Sequence, residues 1–135
     1  MTNDNLRVEI FVLCDTALIS KENKLSIIGI FDRIVTENIP FNFPKMALVA
    51  VVNGQPESPH LLQLSITDPA GKPVTNLNMQ VTLGAGGSSN LISEITNFPL
   101  SLTGAYKISL SEGKKELISK QLAISKTASR PPLSS

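Results

Sequence analysis

The side chains able to do chemistry are few: one His, one Cys, one Tyr and no Trp in 135 residues. Cys14 beside Asp15, with His60 far away in sequence, is the pairing that could supply a thiolate nucleophile and its base, because a thiol needs a neighbouring cation or base to ionise. The spacing argues against it. On a strand, Val8, Ile10, Val12 and Cys14 share one face, which gives the thiol an inward apolar slot where it acts as a small hydrophobe. His60 ends a Pro-rich loop between Pro59 and Leu61 and reads as a solitary, exposed imidazole. Asp15 and Asp32 could bind calcium or act as an acid and base pair. Calcium, however, takes about six or more oxygens, usually from acidic residues clustered in one loop, and no loop of this chain holds more than one Asp. Both are expected to cap turns or to pair with Arg33 or Lys24. The run Gly84-Ala85-Gly86-Gly87 resembles a phosphate cradle, but such a cradle needs a helix N-terminus and a following Lys-Ser or Lys-Thr. Here Ser88-Ser89-Asn90 leads into a strand. No catalytic, cofactor-binding or metal-binding residue is assigned, and the chain is read as not an enzyme.

Bulk properties narrow the field in the same direction. Twelve basic and eleven acidic side chains leave a formal net charge of +1, so no broad field recruits a polyanion or an anionic membrane surface. Lys114-Lys115 is a solvated turn without interleaved aromatics to stack bases, and no nucleic-acid partner is expected. The longest wholly apolar runs, 10–14 and 46–52, fall far short of the ~20 residues of a spanning helix, so no membrane insertion is expected. A lone Cys14 forms no intramolecular disulfide, and the polar start Met1-Thr2-Asn3-Asp4-Asn5, followed by Arg7 and Glu9, is unlike a signal peptide. These features predict a cytoplasmic protein.

The elements that must position such residues follow from periodicity. Leu62, Leu64 and Ile66, then Leu77, Met79, Val81 and Leu83, then Tyr106, Ile108 and Leu110 alternate with polar neighbours, the mark of half-buried antiparallel strands. Segments 8–14 and 46–52 are apolar on both faces, as in central strands or in strands covered by a partner chain, and the first alternative is favoured. Asn23 in Ser20-Lys21-Glu22-Asn23-Lys24 tolerates a left-handed turn between 16–19 and 25–28. Asp68-Pro69-Ala70-Gly71 reads as a type I turn, and Ser111-Glu112-Gly113-Lys114 closes a last hairpin. Gly29 marks a bulge or bend. The segment 84–89 is expected to be the most flexible internal loop, and no helix is expected. Tyr106 behind Gly104-Ala105 has the placement of a tyrosine corner, or is an ordinary inward aromatic. The prediction is an all-β, two-sheet antiparallel β-sandwich of immunoglobulin-like type with eight or nine short strands, spanning 1–124 and followed by a Ser/Pro-containing tail, 125–135.

Phe11-Val12-Leu13-Cys14-Asp15-Thr16-Ala17, then Asn23-Lys24-Leu25-Ser26-Ile27-Ile28-Gly29-Ile30-Phe31-Asp32-Arg33-Ile34, resemble the opening of a family of small uncharacterised bacterial proteins. Pro44 with Met46-Ala47-Leu48-Val49, Asn97-Phe98-Pro99-Leu100 and Gly104-Ala105-Tyr106 follow in that family's order. The resemblance implies a bacterial intracellular β-sandwich and supplies no catalytic residue. With balanced charge, few charged residues and two strands apolar on both faces, the expected role is a protein-interaction or assembly module, acting through a protein partner or through copies of itself. The alternative is a small-ligand or carbohydrate binder using loops at one end, disfavoured by the absence of Trp.

Overall fold

The computed structural model describes residues 6–127. Those residues hold nine strands and no helix: β1 (Arg7–Ile19), β2 (Leu25–Phe31), β3 (Arg33–Thr36), β4 (Phe41–Asn53), β5 (Pro59–Thr67), β6 (Pro73–Thr82), β7 (Ser88–Leu100), β8 (Gly104–Glu112) and β9 (Lys115–Lys126). They form a four-stranded sheet in the order β2-β1-β4-β7 and a five-stranded sheet in the order β3-β9-β8-β5-β6. One apolar cluster draws on both, with Phe11, Leu13 and Leu48 from the first and Leu64, Ile108 and Leu122 from the second. The alternating segments behave as expected in β5 and β8, whose Leu62, Leu64, Ile66, Tyr106, Ile108 and Leu110 are all buried. On the edge strand β6 the pattern weakens, and Leu77 remains 44 % exposed.

The segments apolar on both faces are the two central strands of the four-stranded sheet, β1 and β4. Several strands are longer than the short strands expected: β1, β4 and β7 each run 13 residues. Pairing is antiparallel except between β3 and β9, which run parallel. That exception arises because the chain changes sheets at Asp32, leaving the four-stranded sheet as β2 and entering the five-stranded one as β3. Ser125 and Lys126, placed in the tail by the sequence, extend β9 opposite Val35 and Thr36. The remainder of the expected tail, from 128 onward, lies outside the described residues.

Local chemistry explains the turns. Asn23 adopts φ 62° and its N–H bonds the Ser20 carbonyl at 2.9 Å. Asp68 Oδ1 accepts from the N–H groups of Ala70 and Lys72, while the Gly71 N–H returns to the Asp68 carbonyl. Gly29 has φ +75°, a conformation costly for any residue with a Cβ, and a Cβ there would collide with the Asp15 carboxyl group. The loop expected to be most flexible is instead a tied crossover between the sheets. The Gly87 and Gly84 carbonyls accept from the N–H groups of Gly54 and Glu57, and Gly84 N–H bonds Ser88. Small residues here permit close approach: a Cβ on Gly87 would lie 2.5 Å from the Gly54 carbonyl oxygen.

Tyr106 forms the corner. Fully buried and edge-on to Phe98, it accepts with its hydroxyl from the N–H groups of Ser101 (3.1 Å) and Leu102 (3.2 Å). These are the donors left over where β7 ends. Tyr106→Phe keeps the ring but strands both donors, and is expected to lower unfolding stability by about 1–3 kcal/mol in urea titration with no change in the circular dichroism of the native state.

Candidate functional site

Cys14 is buried, but not where the strand pattern puts it. The β1–β4 register shifts between Val8 and Ile10, so Val8 packs on the shared core while Phe11 and Leu13 take the inward slots further along. Cys14 therefore faces away from the core, in a second cluster with Ala47 and Val49, flanked by Val12, Leu25 and Ile27. Its thiol points at the carbonyl oxygens of Thr16 and Ala47. Burial, with the Asp15 charge next to it, pushes the Cys14 thiol pKa up, the opposite of what a nucleophile needs.

His60 is also buried rather than exposed. Its Nε2 lies 2.8 Å from Ser58 Oγ and its Nδ1 contacts Glu112 Oε2, an order that resembles a serine, histidine and carboxylate relay. Sequence reasoning missed this because Glu112 stands 52 residues away, in a different hairpin. Ser58 Oγ donates its proton to the Gln55 carbonyl at 2.7 Å, so it is an acceptor toward the ring. The N–H groups of Glu57 and Ser58, which could otherwise serve as oxyanion donors, bond Gly84 and Gln55. The three side chains lock the β4–β5 loop onto the β8–β9 hairpin.

Asp15 and Asp32 are not brought together. They line different cavities on either side of Ile30 and Phe31, of about 360 Å³ and 230 Å³. Asp15 is in mid-strand opposite Gly29, and Asp32 occupies the bend between β2 and β3. Neither has the expected ion pair among the described residues: Lys24 is 3.6 Å from Glu22 instead, and Arg33 lines the cavity of Asp15 without bridging to it. Among the described residues no three His, Cys, Asp or Glu side chains group so as to hold a metal, and no helix is long and apolar enough to cross a membrane.

Exposed apolar side chains mark a different kind of site. Leu18 (49 %), Ile19 (42 %), Ile28 (54 %) and Ile30 (62 %) all belong to the β1–β2 hairpin, and Val35 follows on β3. β2 is an edge strand, and Leu25-Ser26-Ile27-Ile28-Gly29-Ile30-Phe31 contains neither charge nor proline. The other edges carry the usual guards against strand addition: Arg33 on the four-residue β3, Pro73 on β6, and Glu94 and Pro99 on β7.

A family model described as a family of unknown function (DUF6941) matches residues 9–125. No curated protein matches the chain in sequence. Among solved structures, the chain is similar to a β-glucosidase of Listeria innocua in complex with isofagomine (TM-score 0.55, 9 % identity), covering 91 % of this chain and 16 % of that one. It is also similar to an alkylpurine DNA glycosylase of Pseudomonas fluorescens bound to abasic-site DNA (TM-score 0.56, 10 % identity; 91 % and 31 %). An immunoglobulin-like protein of Pseudomonas aeruginosa aligns over 89 % of this chain and 96 % of its own (TM-score 0.48, 15 % identity). The chain thus spans about a sixth of the glucosidase and about a third of the glycosylase, and at these identities the likeness is one of fold.

The burial of Cys14 has a pH consequence. With the folded-state pKa raised, both states keep the proton at neutral pH. As pH rises through the thiol's ordinary value of 9.0, the unfolded chain ionises first and stability falls. Urea titrations at increasing alkaline pH should show this loss in the wild type and less of it in Cys14→Ala, and the native thiol should react with an aromatic disulfide only as fast as the chain opens.

Proposed function

We propose, since the chain belongs to DUF6941, a family of unknown function, that its role is read from its own surface: a non-enzymatic interaction module of immunoglobulin-like sandwich type that works in the cytoplasm by binding a protein surface. The observation that carries this reading is the concentration of Leu18, Ile19, Ile28 and Ile30 on one hairpin beside an uncharged edge. Apolar side chains scattered singly are ordinary, but four left in water on one hairpin are a cost that association removes. In the relay-like Ser58, His60 and Glu112 set the hydroxyl and the neighbouring N–H groups are already engaged, which supports the non-enzymatic reading. Carbohydrate binding through loops at one end has less support. The cleft at the tyrosine-corner end presents Pro73, Pro99 and a buried Tyr106, with no exposed ring for a sugar face to stack on.

Self-association is the form of this function that can be tested with the chain alone. Light scattering after size-exclusion chromatography across a wide concentration range should show a reversible increase in mass for the wild type. Ile28→Lys, at an exposed position, should leave the melting temperature nearly unchanged and abolish the increase. A strictly monomeric wild type that also gains no mass with host-cell proteins, under conditions where Ile28→Lys behaves identically, would remove the reading.

A further inference from the structure

One charged residue stands where the strand pattern calls for an apolar one. In the β8–β9 register Tyr106 faces Leu122, Ile108 faces Lys120 and Leu110 faces Ile118. Ile108, Leu110, Tyr106 and Leu122 are buried in the shared core, and Ile118 packs against it. Lys120 therefore occupies a core-facing position of β9, between Ile118 and Leu122. The residue is exposed, so its ammonium is in water. The residue opens onto the cavity of about 230 Å³ whose floor is Phe11, Leu13, Leu48 and Ile108, all nearly inaccessible to solvent. Asp32 lines the same cavity. Its backbone is fixed there by the bond from the Ala123 N–H to the Asp32 carbonyl at 3.0 Å. Lys120 and Asp32 belong to none of the ion pairs among the described residues.

From this arrangement we infer a binding site for a free α-amino acid with an apolar side chain. A purely anionic ligand would suit Lys120 but be repelled by Asp32, and a cationic one the reverse. A zwitterion satisfies both rim charges at once, its carboxylate on Lys120 and its ammonium on Asp32. The apolar floor takes the side chain. A cavity of roughly 150 Å³ lined by aliphatic and aromatic groups already admits benzene, so the larger volume here suits an isobutyl or benzyl group, and it is well under the size of a drug-like pocket. The competing account of Lys120 is an inward charge guarding an open edge, since β3 covers β9 only from Ala123 onward. That account gives no role to the cavity or to Asp32 at its rim. The cavity shares Ile30 with the interaction surface above, but Ile28, the position changed to test that surface, does not line it, so the two tests fail separately.

Amide chemical-shift titration of the full chain with L-phenylalanine tests it. Saturable shifts are expected at Phe11, Ile30, Ile108 and Lys120. N-acetyl-L-phenylalanine lacks the ammonium and L-phenylalaninamide the carboxylate, and each should bind about tenfold more weakly, as for loss of one charged hydrogen bond. Lys120→Met should weaken phenylalanine about tenfold without weakening the amide's own binding. Asp32→Asn should do the same with respect to the acetyl derivative, and Lys120→Arg should retain binding. Absence of saturable shifts in the wild type, equal binding of the three ligands, or full binding by Lys120→Met would overturn the site and leave the edge-guard account in its place. Should Lys120→Met fail to fold, the Asp32→Asn and acetyl comparison still decides.

Discussion

Burial of both faces of β1 and β4 at the centre of the four-stranded sheet is the constraint from which the rest of the structure follows. Only one sheet packs opposite them, against Phe11, Leu13, Leu48 and Ala50. The other face must be dried by side chains of its own sheet, and small residues there make that possible: Cys14, Ala47 and Val49 pack flat and are covered by Val12, Ile27 and Ile92. Covering the centre draws on Leu25 and Ile27 of the β1–β2 hairpin, and what remains of the hairpin's apolar surface, above all Ile28 and Ile30, is left in water.

The same hairpin has to release the chain to the opposite sheet. Gly29, with its positive φ, lies between Ile27, which packs on the outer cluster, and Phe31, which packs on the shared core. The strand rotates its apolar face by half a turn at the residue that tolerates the conformation. Four residues later, at Arg33, the chain is in the five-stranded sheet, in the parallel pairing of β3 with β9. Both cavities beside this crossing are lined by Ile30 and Phe31, and the smaller one also reaches Lys120 and Gln121 of β9.

Much of this was legible in the sequence because it rests on local rules. Alternation gave β5 and β8, Asn23 and Gly29 gave their turns, and Tyr106 behind Gly104 gave the corner, since each depends on residues a few positions apart. What was misread depends on distant partners or on register. A single irregularity between Val8 and Ile10 is enough to send Cys14 to the wrong face, because strand side chains have a period of two. His60 looked exposed because its partners, Ser58 and Glu112, meet only when two hairpins pack. The glycine loop looked loose because its hydrogen bonds run to another loop, 53–58, that nothing in its own composition points to. Lys120 carried a signal, a charge in phase with Ile118, Leu122 and Ile124, but its meaning appears only with the cavity and with Asp32 across the rim.

The geometry of β2 also sets the manner of any contact at the hairpin. Strand addition needs a regular edge, and the positive φ of Gly29 interrupts the run between Ile28 and Ile30. A ladder extended onto β2 would therefore be limited to short segments on either side of that residue. Side-chain burial has no such restriction: Leu18 and Ile19 stand beside the turn that holds Asn23, and Ile28 lies midway between that turn and the crossing at Asp32. In the proposed role the hairpin accordingly acts through its apolar side chains more than through its free backbone groups, which favours reversible association over the open-ended edge pairing that an uninterrupted apolar strand invites.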